Sequence, residues 1–150
     1  MLHEVKYKGS HLILKEVLSY PSQYRERNVG RLINLFKPEI ISVPLHPQRF
    51  NERGFNQSDM VADLLLMARN IKRRELLIRT INTKHLANIS EKRERKKCIR
   101  GAFTYVGKTV PDTVLIVDDV VTTGSTLLEC ASTLKKIGVR VVLAVSLAKG

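Results

Sequence analysis

Two adjacent carboxylates, Asp118 and Asp119, follow the apolar run Val114-Leu115-Ile116-Val117 and precede Val120-Val121-Thr122-Thr123-Gly124-Ser125-Thr126. Like charges at the end of a buried strand repel, so the pair has a cost unless something uses it, such as a sugar diol or a metal ion. The hydroxyls and the glycine stand where a helix is expected to begin. Backbone N–H groups at a helix start lack partners, and the helix dipole there favours an anion. The hydroxyls of Thr122, Thr123, Ser125 and Thr126 add donors, and Gly124 lets a phosphate approach the backbone closely. Carboxylates for hydroxyls beside a cradle for phosphate describe a site for a phosphorylated sugar. The plainer alternative is that Asp119 or Thr122 merely caps the helix. The chain contains neither a Walker A loop nor a G-x-G-x-x-G fingerprint.

These groups need elements to hold them. Val114–Val117 reads as a buried strand, followed by a polar turn over 118–123. A helix is expected from Gly124 to Ile137, with Leu127, Leu128, Ala131 and Leu134 inward and Gly138 closing it. Cys130 falls near that inner face and reads as core. Residues 139–147 form the next apolar strand, giving a βαβ unit with a parallel sheet and a right-handed crossover.

Upstream, a helix is expected over 11–19 and stops at Pro21. A second runs over 22–36 with Val29, Leu32, Ile33 and Phe36 on one face. Residues 40–43 are a short buried strand, and Pro44 opens a loop through Gly54. A helix over about 57–69 follows, with Met60, Val61, Leu64, Leu65 and Ala68 inward. Leu76-Leu77-Ile78 and 101–106 read as further strands, with a long charged loop between them. The alternation implies an α/β sandwich, whose ligands sit beyond the carboxyl ends of its strands.

The 150 residues suit one domain. Lys and Arg number 26 against 14 acids, a net charge of +12 that points to a polyanionic partner. Residues 69–100 carry 12 basic groups and three acids, and so hold most of the excess. That stretch is either a solvated loop with a basic helix end, or an anion-binding hood or nucleic-acid patch. The two cysteines, Cys98 and Cys130, are too few for a four-cysteine zinc site. No apolar run approaches the ~20 residues that cross a bilayer. The expectation is a cytoplasmic protein without membrane insertion.

The string from Val114 to Thr126 resembles the phosphoribosyl pyrophosphate (PRPP) motif of type I phosphoribosyltransferases. The resemblance implies a three-layer sandwich with a central, mainly parallel sheet and a flexible hood. It implies that Asp118 and Asp119 are the catalytic pair and bind the ribose 2′- and 3′-hydroxyls. Val120 and Val121 are the motif's variable positions, and Thr122 to Thr126 would hold the 5′-phosphate. Mg²⁺ would arrive with PRPP rather than through direct protein ligands.

Val43-Pro44-Leu45-His46, Arg49 and the string Arg53-Gly54-Phe55-Asn56-Gln57 resemble the ComF family. Residues 1–38 then form N-terminal helices, 40–150 the core, and about 79–103 the hood. Pro44, Leu45, His46, Arg49 and Arg53 fall on the pyrophosphate side. His46 is either a loop residue or a pyrophosphate contact, Asn56 is a candidate helix cap, and Phe55 is expected to pack. Two hood positions depart from the family pattern, Leu86 in place of Gln and Cys98 in place of Asn. The family's cysteine-rich zinc module has no counterpart here, whether absent, encoded separately or cut away.

The ComF resemblance implies a PRPP-binding protein in competence and the uptake of transforming single-stranded DNA. Implied partners are single-stranded DNA, a ComF-type helicase and other competence proteins. The alternative is an active phosphoribosyltransferase that passes ribosyl 5-phosphate to a nitrogenous base or amine.

Overall fold

A computed structural model describes residues 23–67, 69–83 and 97–149. In chain order the elements are α1 (Gln23–Phe36), β1 (Glu39–Ser42), α2 (Pro47–Arg53), α3 (Gln57–Met67), β2 (Leu77–Arg79), β3 (Phe103–Tyr105), β4 (Thr113–Val121), α4 (Ser125–Lys136) and β5 (Val141–Lys149). The helix expected over 11–19, Leu86 and most of the charged loop lie outside the described residues.

Strands β1, β4 and β5 form a parallel sheet with β4 in the middle. Successive side chains on a strand point to opposite faces, and the buried residues divide accordingly. Ile40, Leu115 and Val117 pack on one face with Val29 and Ile33 of α1 and Val61, Ala62 and Leu66 of α3. Ile41, Val114 and Ile116 pack on the other with Cys130 and Leu134 of α4 and with Leu77 and Phe103 of β2 and β3. Helices thus cover both sides of a parallel sheet, which is the phosphoribosyltransferase-like α/β sandwich expected. Strands β2 and β3 form a separate antiparallel pair. Their buried ends anchor the base of the hood segment to the α4 side of the core.

The βαβ unit β4–α4–β5 has the expected order, but its turn is shorter than the sequence suggests. Strand β4 continues in parallel register through Asp118↔Ser146, Val120↔Ala148 and Val121↔Lys149. The two acids therefore lie within the strand rather than in a turn, because β5 still supplies backbone partners beyond Val117.

Two helix faces differ from the apolar periodicity. On α4, Leu128 is 60% exposed while Cys130 and Leu134 are buried. On α3, Leu64 is 39% exposed while Val61, Ala62 and Leu66 are buried. In both, the buried stripe is narrower than the apolar one. A further difference is α2, which occupies what was expected to be loop. None of its residues is buried, so it leaves no apolar period to read. Its signals are terminal instead. Pro47 opens it with a preset φ, and Gly54 closes it at φ 76°.

Candidate functional site at the β4–α4 turn

Asp118 is 7% exposed at the carboxyl end of β4. Its Oδ1 accepts hydrogen bonds from the Ser58 hydroxyl at 2.9 Å and from the backbone N–H of Asp119 at 2.9 Å. Burial, and after it the adjacent Asp119 carboxylate, push this carboxyl up to about 7, while the Ser58 hydroxyl opposes the rise. The carboxyl is therefore near its midpoint at neutral pH. A ligand that donates hydroxyls would draw it to the ionised form. Asp119 is half-buried beside it.

Val120 and Val121 end the strand, and residues 122–124 turn into α4. Gly124 sits at φ 74° as the residue before the helix, with no side-chain cap bond to the first turn. An added Cβ would find only Val121 Cγ1 near it, at 3.9 Å. Glycine is thus required by backbone conformation and not by crowding. The Thr123 and Ser125 hydroxyls lie 2.9 Å apart, and Thr123 Oγ1 also accepts from the Ser125 N–H at 3.4 Å. Hydroxyls and amide groups therefore converge on one turn at a helix start, where an anion is favoured. Thr122 and Thr126 flank this turn.

The loop after β1 shares this sheet edge. The Val43 N–H donates to the Val117 carbonyl at 2.9 Å, so the chain leaves β1 beside the end of β4. Pro44 and Leu45 lead to His46, which caps α2: its Nδ1 accepts from the Gln48 N–H at 3.2 Å. Asn56 caps α3 as expected, accepting from the Ser58 N–H at 3.2 Å. Its side-chain amide also donates to the Val43 carbonyl at 3.0 Å and to Asp59 Oδ1 at 2.9 Å. The start of α3 is thereby latched to the end of β1.

Among the arginines, Arg53 donates to Gln57 at 3.2 Å, four residues further along the chain. Arg49 makes a long 3.9 Å pair with Glu52. Sequence reasoning missed Arg79. This residue ends β2, stacks over the Phe103 ring at 5.6 Å and bonds Thr83. Its buried Nε has no hydrogen-bond partner. Burial lowers its proton affinity, and the nearby Arg49 charge lowers it further, while Cys130 and Asp118 act in the other direction. Two guanidiniums and Asp118 thus share one electrostatic neighbourhood. Arg79 also lines a groove of about 600 Å³ between the Pro44–Asn51 segment and β2. No single-sequence signal marks it among 12 basic residues of the segment 69–100.

Cys130 is fully buried in the core, and burial pushes its thiol well above the usual range. Among the described residues, no helix is long and apolar enough to cross a membrane.

Residues 81–150 match the phosphoribosyl transferase domain. The chain is 34% identical to the DNA utilization protein YhgH of Escherichia coli O6:H1, with 92% of this chain and 61% of that one aligned. It is 32% identical to competence protein F of Haemophilus influenzae, over 75% of this chain and 51% of that protein. It is 26% identical to competence protein ComFC of Streptococcus pneumoniae, over 96% and 60% respectively. It therefore spans between 51% and 61% of the length of these relatives.

The parallel β4–α4–β5 unit and its carboxylate-to-hydroxyl loop define a phosphoribosyltransferase-type domain. Within that class, the chain is similar to proteins named for competence and DNA utilization, in keeping with the ComF resemblance of the Arg-Gly-Phe-Asn-Gln string.

Proposed function

We propose that this chain binds PRPP at the β4–α4 turn and serves in the handling of incoming single-stranded DNA. The observation that carries the first half is the pairing of a buried Asp118, raised to about 7, with converging hydroxyls and amides at the start of α4 on the same βαβ unit. Asp118 and Asp119 accept the ribose hydroxyls. The Thr123 and Ser125 hydroxyls and the first amides of α4 receive the 5′-phosphate. Arg79 and Arg49 take the diphosphate, since guanidinium forks match phosphate oxygens.

The protein groups here are a carboxylate pair that accepts and hydroxyls that donate, which fit a sugar phosphate, and Mg²⁺ fits as an ion carried by the diphosphate. When bound, Mg²⁺ neutralises charge on that group. The protein's own part is to hold the sugar and set the protonation of Asp118.

The DNA half rests on the relatives named for competence and DNA utilization and on the basic stretch 69–100. A helicase of the ComF type and other competence proteins are the proposed partners.

Calorimetry with PRPP and Mg²⁺ tests the site. Binding to the wild type and its loss in an Asp118→Asn/Asp119→Asn variant are expected. Equal binding by the two proteins overturns the assignment. Binding of single-stranded oligonucleotides across a salt series tests the DNA half. Affinity should fall steeply with salt, and no binding at low ionic strength overturns it.

A further inference from the structure

The strongest unassigned feature is the contact between α3 and the carboxyl end of β4. Ser58 lies 60 residues from Asp118 in sequence and is 4% exposed. Its hydroxyl has Asp118 Oδ1 as its partner at 2.9 Å, in a buried setting. The same oxygen accepts the Asp119 N–H, so two donors from two elements fix the carboxyl through a single atom. A carboxylate that accepts two hydrogen bonds at one oxygen loses much of its freedom to turn, and its other oxygen keeps its own acceptor capacity.

Ser58 is itself held in place. Its N–H donates to the Asn56 side chain, and Asn56 is tied to Val43 and to Asp59. Asp59 accepts from the Ser42 hydroxyl and pairs with Arg73 at 3.2 Å. Ser42 stands opposite Val117 in the sheet, one residue before Asp118. A connected set of bonds therefore runs from the end of β1, through the first turn of α3, to the carboxyl.

We infer that Ser58 is a positioning residue for the sugar-binding carboxylate: its buried hydroxyl holds Asp118 in the orientation that accepts ribose hydroxyls. This rests on the PRPP reading above. The first turn of α3 thus serves the β4–α4 site through Ser58, and Asn56 holds that turn against β1.

Groups facing Asp118 from the surrounding elements are Asp119 on β4, Ser58 on α3, Arg79 on β2 and Cys130 on α4. Asp119 opposes ionisation, and Arg79 favours it. The Cys130 thiol is neutral over the working range because burial raises it. Of these groups, Ser58 is the neutral donor from a separate helix, and its removal leaves every formal charge in place.

The test is a carboxyl-carbon NMR titration of the ligand-free protein, with Asp118 assigned by its absence in Asp118→Asn. In Ser58→Ala, the Asp118 midpoint should rise by about one pH unit, the scale of a lost hydrogen bond to a charged group. Gln57→Ala perturbs the same helical turn without touching Asp118 and should leave the midpoint where it was. Ser58→Cys, a near-isostere with a weak donor, should fall between wild type and Ser58→Ala, and serves where the alanine variant fails to fold. An unmoved midpoint in the Ser58 variants, or an equal shift in Gln57→Ala, overturns the inference.

PRPP affinity as a function of pH is the second readout. Its rise with pH should shift upward in Ser58→Ala to the same extent as the titration, and an unshifted profile counts against the inference. Absence of PRPP binding by the wild type at every pH would defeat the sugar-phosphate reading alone. The NMR midpoint would still decide whether Ser58 governs Asp118.

Discussion

Arg79 and Phe103 are direct partners across the β2–β3 pair, and the Arg79 guanidinium carbon lies 5.6 Å from the centre of the Phe103 ring. Phe103 is buried in the core, so its ring is a fixed platform. The guanidinium thus lines the groove with its buried Nε unpartnered and a second cation, Arg49, nearby. A cation placed in this way is relieved by an anion.

Replacing Arg79 with Ala should therefore weaken PRPP binding by about tenfold or more, the scale of one charge-assisted hydrogen bond of ~1.5–3 kcal/mol. Arg79→Lys should recover only part of this, because an ammonium lacks the planar fork. Calorimetry at fixed Mg²⁺ measures both. Affinity within twofold of wild type in Arg79→Ala would remove Arg79 from the site.

Asn56 supplies three hydrogen bonds from one buried side chain: to Val43, to Asp59 and from the Ser58 N–H. Asn56→Ala removes a helix cap and leaves the Val43 carbonyl short of a donor. The expected loss is about 2–4 kcal/mol in urea denaturation, from a cap worth ~1 and an unsatisfied buried acceptor worth ~1–3. Asn56→Asp keeps the cap but sets a carboxylate against the Val43 carbonyl and Asp59. Its deficit should therefore grow as pH rises past the carboxylate range, whereas that of Asn56→Ala should stay flat.

The sheet and α4 were legible because their residues follow their periods closely. Ile40 and Ile41 divide between two faces, and so do Val114 to Val117. The motif residues Asp118 to Thr126 were legible as a string because they are contiguous, and the end of β4, a short turn and the start of α4 hold them in succession. Helix α2 was not, since a wholly exposed short helix has polar residues throughout and is specified by His46, Pro47 and Gly54. Leu128 misled because an apolar side chain at helical spacing need not face the core. Ser58 and Arg79 were invisible for a different reason. Their roles come from partners 60 and 24 positions away, Asp118 and Phe103, which only the fold brings near.

The buried Asp118 makes stability depend on pH. Its carboxyl is raised from 3.8 to about 7, so the folded chain holds this proton more tightly than the unfolded chain. The group is harmless below pH 4. It lowers stability progressively between pH 4 and 7, and its full cost stands above 7. That cost is on the order of 4 kcal/mol, at 1.36 kcal/mol for each pH unit. Asp118→Asn keeps an acceptor for Ser58 and carries no charge. Relative to wild type, the variant should be markedly more stable at pH 8 than at pH 5 in urea titrations. An equal difference at the two pH values would mean that Asp118 titrates as an ordinary exposed carboxyl.

Gly124 separates the backbone requirement of the turn from its ligand requirement. At φ 74° a non-glycine residue is strained, and the nearest atom to an added Cβ is Val121 Cγ1 at 3.9 Å. Gly124→Ala should therefore lose only about 1 kcal/mol of stability, the left-handed penalty without a steric one. In a chain of this size that corresponds to a fall of roughly 2–5 °C in Tm. The methyl would project where a phosphate meets the first amides of α4, so PRPP affinity should fall by more than the stability change explains. Tenfold or greater weakening of PRPP binding, with cooperative unfolding retained, is the expected pair of results. Normal PRPP affinity in the same folded variant would place the phosphate elsewhere than the Thr122–Thr126 turn.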